Sequence, residues 1–194
     1  MIELTPVRNN QVATVAAALN YKVSADILCS QKPEETTWRN IVDIRNDPYA
    51  EGLIGNRMFT IHVSPLNGEL EISVADPNLI HNRKLFQQPC TFGEWNTYSV
   101  EVRRMESNQS KLKYVVSIDG VLAAEGNYDA IDAYSAGDLL AFASNDIIAP
   151  ASNTAVKNFF YQTFEDCNFD PCAGLEDCQT IINGCAAAPV RKRV

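Results

Sequence analysis

The sequence predicts an all-β fold, a two-sheet antiparallel sandwich with a short disulfide-rich C-terminal tail. Three observations carry that prediction. Apolar and polar residues alternate with a period of two in run after run, which is the signature of strands with one face in a core. Turn dipeptides of the hairpin type separate the runs. No segment shows sustained helical periodicity.

The elements follow in chain order. Residues 12–19 are alanine-rich and form the best helical candidate, but their Val12-Ala13-Thr14-Val15 content and their place just before a strand suit an edge strand equally well. Residues 21–27 put Tyr21, Val23, Ala25 and Ile27 on one face and Lys22, Ser24 and Asp26 on the other. Residues 69–74, 98–103 and 111–114 alternate in the same way. Further strands are predicted over 37–45, 58–63, 139–143 and 156–164, the last three being apolar on both faces and therefore central or covered. Asn67-Gly68 and Asp119-Gly120 read as hairpin tips, Glu125-Gly126-Asn127 as a further turn, and Pro33, Pro48 and Pro77 as loop markers. Gly55 reads as a turn position that needs permissive backbone angles. Ten or more short strands with regular turns make a two-sheet sandwich.

Composition changes near Glu165. Residues 1–165 form the predicted sandwich domain, and residues 166–194 form a cysteine-rich tail or the start of a disulfide-rich module, too short and too rich in small residues to build a core alone. Four of the six cysteines, Cys167, Cys172, Cys178 and Cys185, fall in that tail. Their gaps do not match the close ligand pairs of a zinc site, so disulfides and an oxidising compartment are expected. Short loops close at little entropic cost, so the four should pair among themselves, leaving Cys29 with Cys90. Asn108-Gln109-Ser110 is an N-glycosylation acceptor triplet in a polar tip between two strands. With 16 Lys+Arg against 24 Asp+Glu the formal charge is −8, which argues against nucleic acid and against anionic membrane surfaces. No apolar run approaches the roughly 18 residues of a membrane span, and no secretory signal pattern opens the chain.

The order of certain motifs resembles the concanavalin A-like lectin/glucanase superfamily, in particular the laminin G-like jelly-roll modules of extracellular proteins. The likeness runs from residues 21–27 through Trp38-Arg39-Asn40-Ile41, Gly55-Asn56-Arg57-Met58-Phe59 and Gly68-Glu69-Leu70-Glu71-Ile72. It continues in Glu94-Trp95-Asn96-Thr97-Tyr98, residues 114–120, Leu140-Ala141-Phe142-Ala143-Ser144-Asn145 and Val156-Lys157-Asn158-Phe159. It covers about residues 10–164 and implies a jelly-roll sandwich.

The motifs for chemistry are mostly missing. Glucanases of the superfamily carry Glu-x-Asp acids on one strand, and this chain has no such pattern; Glu71 and Glu101 are the only candidates for a divergent glycoside hydrolase. The galectin pattern fails at His62-Val63-Ser64-Pro65 and at Trp95. Members of the superfamily bind calcium in rim loops, and Asp43, Asn46 and Asp47 in one loop and Asn145, Asp146 and Asn153 in another offer oxygen ligands, although turns prefer the same residue types. No other cofactor is expected. Trp38 and Trp95 read either as rim packing or as sugar-stacking platforms. His62 reads either as a satisfied sheet residue or as part of a ligand face with Asp26, Arg45, Glu71, Trp95, Glu101 and Arg103.

These readings converge on a secreted, non-catalytic recognition or adhesion module that binds a glycan or an extracellular protein, within a larger mosaic protein. Two alternatives stand beside it: a self-associating structural subunit of a matrix or filament, and the divergent hydrolase.

Overall fold

The computed structural model describes residues 3–4, 10–29, 38–46, 57–64, 68–76, 83–105, 107–130, 137–144 and 154–164. Its strands are β1 (Glu3–Leu4), β2 (Gln11–Ala16), β3 (Tyr21–Cys29), β4 (Arg39–Arg45), β5 (Arg57–Val63), β6 (Glu69–Val74), β7 (Arg83–Pro89), β8 (Trp95–Met105), β9 (Asn108–Ile118), β10 (Val121–Asp129), β11 (Asp138–Phe142) and β12 (Thr154–Thr163). They form two six-stranded antiparallel sheets packed as a jelly-roll sandwich. Sheet A has the order β1-β12-β3-β8-β9-β10, and sheet B the order β2-β11-β4-β5-β6-β7. Pro33, Pro48, Pro77, Gly55 and the tail with its four cysteines lie outside the described residues.

The period of two works best in sheet A. In β3, Tyr21, Val23, Ala25, Ile27 and Cys29 are buried while Lys22, Ser24, Asp26 and Leu28 are only partly covered. In β8 the buried set is Tyr98, Val100 and Val102, in register with the buried set of β3. Sheet B supplies Ile44, Phe59, Ile61, Leu70, Ile72, Val74 and Leu139 to the same core. Each such side chain contributes about 1.5–3 kcal/mol on leaving water. Tyr161 of sheet A donates its hydroxyl to the Ala16 carbonyl of β2 at 2.7 Å, so a buried phenol is satisfied across the two sheets.

Residues 12–19 resolve as the edge strand β2 and the turn after it, because the backbone groups of β2 find partners on β11. The Asp119-Gly120 turn joins β9 to β10 with φ values of 51° and 80°, as a two-residue hairpin turn of the twisted type requires. Glu125-Gly126-Asn127 is not a turn but the middle of β10. Gly126 is there because the Tyr114 ring of β9 lies over it: a Cβ would meet Tyr114 Oη at 2.7 Å.

Four register shifts break the simple parity of sheet B, one of them on β2, where Val12 is the extra residue against β11. Register shifts on β4, β5 and β7 insert Ile41, Met58 and Leu85, which turn into the core. Beyond the bulge in β5, Arg57 sits opposite Arg45. Cys29 and Cys90 are joined by a disulfide with Cα atoms 6.3 Å apart, linking the end of β3 in sheet A to the residue after β7 in sheet B. The Gly93 N–H donates to the Cys29 carbonyl at 2.8 Å beside it.

Candidate functional site

The outer face of sheet B is polar, and most of it is covered. Antiparallel register lines up Asn40, His62, Glu71 and Gln87 as one row across four strands, with Asp43, Thr60, Ser73 and Lys84 as the next. Asn40, Asp43, Arg45 and Thr60 are fully buried, Ser73 nearly so, and His62 is only 6% exposed. Thr60 and Ser73 share a hydrogen bond of 2.8 Å, and Arg45 donates through Nη2 to Asp43. Arg45 Nε, Arg45 Nη1 and His62 Nε2 have no hydrogen-bond partner among the described residues. Burial pushes the His62 imidazole down to a pKa of about 3, and the nearby Arg57 and Arg45 charges act in the same sense. His62 is therefore a neutral ring at physiological pH.

The row opens to solvent at its β6–β7 end and at the start of β4. Trp38 is 42% exposed and meets the His62 ring edge-on, with centroids 6.4 Å apart. Glu71 is half-buried beside it in register, and burial raises its carboxyl above the usual range against the opposing pull of Lys84. Lys84 Nζ lies 3.7 Å from Glu71 and donates to Gln87, whose amide in turn donates to Glu69. An exposed indole, a neutral imidazole and a carboxylate–amide–ammonium chain thus share one surface. That combination can stack on an apolar ring face and exchange hydrogen bonds with hydroxyl groups.

The outer face of sheet A is arranged differently, because its polar groups use one another. Asp26 accepts from Thr97 Oγ1 at 2.7 Å and from Asn158 Nδ2 at 2.6 Å. Asp119 accepts from the Thr97 N–H at 2.7 Å and from Asn96 Nδ2 at 3.0 Å. The Lys157 ammonium covers the Trp95 ring at 3.8 Å from its centroid. Arg103 bonds Glu101 at 3.0 Å and stacks on Phe164. Lys113 pairs with Glu125, and Lys111 with Asp129. Such exposed pairs contribute little to stability and form a solvated surface.

The predicted ligand residues therefore divide. Asp26, Trp95, Glu101 and Arg103 lie on sheet A, and Arg45, His62 and Glu71 on sheet B, so the sandwich separates them. Two expectations are corrected: Arg45 and His62 are not presented outward but buried, because the outer face of sheet B is covered. Glu71 and Glu101 stand on opposite sheets and cannot flank one glycosidic bond, which needs carboxyls within about 10 Å. Asp43 is not a loop ligand for calcium either; it is buried in β4 against Arg45. Asn46 is exposed at the bend after β4, while Asp47, Asn145, Asp146 and Asn153 lie outside the described residues. Among the described residues no group of three or more His, Cys, Asp or Glu side chains is placed to hold a metal ion, and no helix is long and apolar enough to cross a membrane. Of the two tryptophans that the sequence left between packing and platform, Trp38 is exposed and Trp95 only partly so.

No family model matches this chain, and no curated protein matches it in sequence. Solved structures do share its fold. The receptor binding domain of botulinum neurotoxin C/D mosaic serotype is similar with a TM-score of 0.51 at 13% identity, over 73% of this chain and 32% of that one. A variant of HCR/D is similar with a TM-score of 0.52 at 12% identity, over 79% of this chain and 38% of that one. The carbohydrate binding module CBM66 from Bacillus subtilis reaches a TM-score of 0.44 at 12% identity, over 79% of this chain and 83% of that one. This chain spans about a third of the length of the first two. At such identities the likeness is one of fold.

Proposed function

We propose that this chain is a non-catalytic carbohydrate-recognition module of a secreted protein. The observation that carries the reading is the half-exposed Trp38 set against the neutral His62, in a row that continues through Glu71 to Gln87. A pyranose would stack its C–H face on the free side of the indole, and its hydroxyls would meet Glu71, Lys84 and Gln87. The Cys29–Cys90 bridge supports an oxidising compartment. The separation of Glu71 from Glu101 favours binding over hydrolysis. In this reading residues 166–194, with four cysteines, are the disulfide-bonded continuation toward a neighbouring module of a mosaic protein.

A glycan array probed with the oxidised protein tests the reading. Trp38→Ala should abolish every signal while the variant still unfolds cooperatively, at a cost of about 1–2 kcal/mol for the half of the ring that is covered beside His62. A parent protein that binds no glycan, or a Trp38→Ala variant that binds as well as the parent, would overturn it.

A further inference from the structure

We propose that Asn108 carries an N-linked oligosaccharide, making this chain an acceptor of sugar as well as a reader of it. Asn108-Gln109-Ser110 is the single Asn-x-Ser/Thr triplet in the 194 residues. The structure adds what the triplet alone does not. Asn108 is exposed at the head of β9, just past a register shift against Met105 of β8. Its Oδ1 accepts from the Ser110 N–H at 3.1 Å and from Ser110 Oγ at 2.8 Å. Both bonds engage the oxygen, so the amide is held with Oδ1 toward the chain and Nδ2 toward solvent.

The folded sandwich therefore accommodates a glycan there without losing a core contact or a strand hydrogen bond. The transfer takes a lipid-pyrophosphate-linked oligosaccharide as its second substrate. Nδ2 bonds to C1 of the reducing-end sugar as the C1–O bond to pyrophosphate breaks. The electron pair leaves with the lipid pyrophosphate, and the Nδ2 proton passes to a base of the transferase. Asn108 lies at the end of sheet A, whereas Trp38 and His62 lie on the outer face of sheet B, so the glycan leaves the proposed binding row open.

The full chain, directed through the secretory pathway of a eukaryotic cell, is analysed by intact mass before and after peptide-N-glycosidase. One glycan mass is expected, removed by the enzyme with conversion of residue 108 to aspartate, and absent from both Asn108→Gln and Ser110→Ala. Glycan-array affinity should agree within about twofold between the glycosylated and enzyme-treated forms. Secreted protein with an intact Cys29–Cys90 bridge and an unmodified Asn108 peptide would overturn the inference. So would a glycan mass that persists in Asn108→Gln. Failure of the array itself strikes only the recognition reading, because the mass measurement does not depend on it.

Discussion

His62 makes the stability of the sandwich depend on pH in a way that can be isolated. Folding holds its imidazole neutral, with a pKa near 3, whereas the unfolded chain takes up a proton near 6.5. The folded pKa is the lower one, so the stabilisation is complete above pH 6.5 and is lost as pH falls toward 3. Between pH 7.5 and pH 5 the loss amounts to about 2 kcal/mol, taking about 1.4 kcal/mol per pH unit below the unfolded pKa. Urea denaturation at pH 7.5, 6 and 5 reads it; with a slope of about 2 kcal/mol per molar, the midpoint should fall by about 1 M. His62→Gln removes the titrating group. Whatever that variant costs at pH 7.5, its midpoint should change much less than the parent's over the same interval. Both proteins keep the second histidine, His81, so the comparison isolates His62. Parallel pH dependences for parent and variant would refute the reasoning.

Two further outcomes follow from the packing. Cys29→Ser combined with Cys90→Ser should lower the unfolding free energy by about 4 kcal/mol, the chain-entropy value for a closure of this length, measured by urea titration of the oxidised parent against the variant. Gly126→Ala should cost about 1–3 kcal/mol through the clash of its Cβ with the Tyr114 ring, and most of that cost should vanish when Tyr114→Ser is present in the same chain.

Where one face of a strand meets water, the residues announce it. β3, β6 and β8 were legible for that reason: burial in β3 alternates without a fault from Tyr21 to Cys29. The same rule misled at Arg45 and His62, while Asp43, taken for a loop ligand of calcium, lies inside β4. A polar side chain at an alternating position reads as surface, whereas the covering of sheet B was announced only by its neighbours, the runs 58–63 and 139–143 that are apolar on both faces. Bulges hid a second part of the geometry. One inserted residue turns Met58 inward and brings Arg57 beside Arg45, a change of parity set by pairing with β4 and therefore non-local. Gly126 shows the same limit from another side, since its reason is the Tyr114 ring on the next strand and not a turn in its own. The Cys29–Cys90 bridge was readable because the four tail cysteines are crowded together and leave those two as partners. Trp38 was seen as an alternative; its setting against His62 depends on the fold of β4 and β5.

The covering of sheet B on both sides has a consequence for how this sequence can drift. In β4 and β5 six of seven residues are buried, polar and apolar alike. A saturation library selected for folding should show a two-residue rhythm of tolerance along β3 and β8, with every second position accepting almost any hydrophilic replacement. Along β4 and β5 the rhythm should vanish, and Asn40, Asp43, Arg45 and Thr60 should be as intolerant as Ile44 or Phe59. Homologues should then diverge first on the outside of one sheet, while the polar layer outside the other stays nearly as fixed as the hydrocarbon between them.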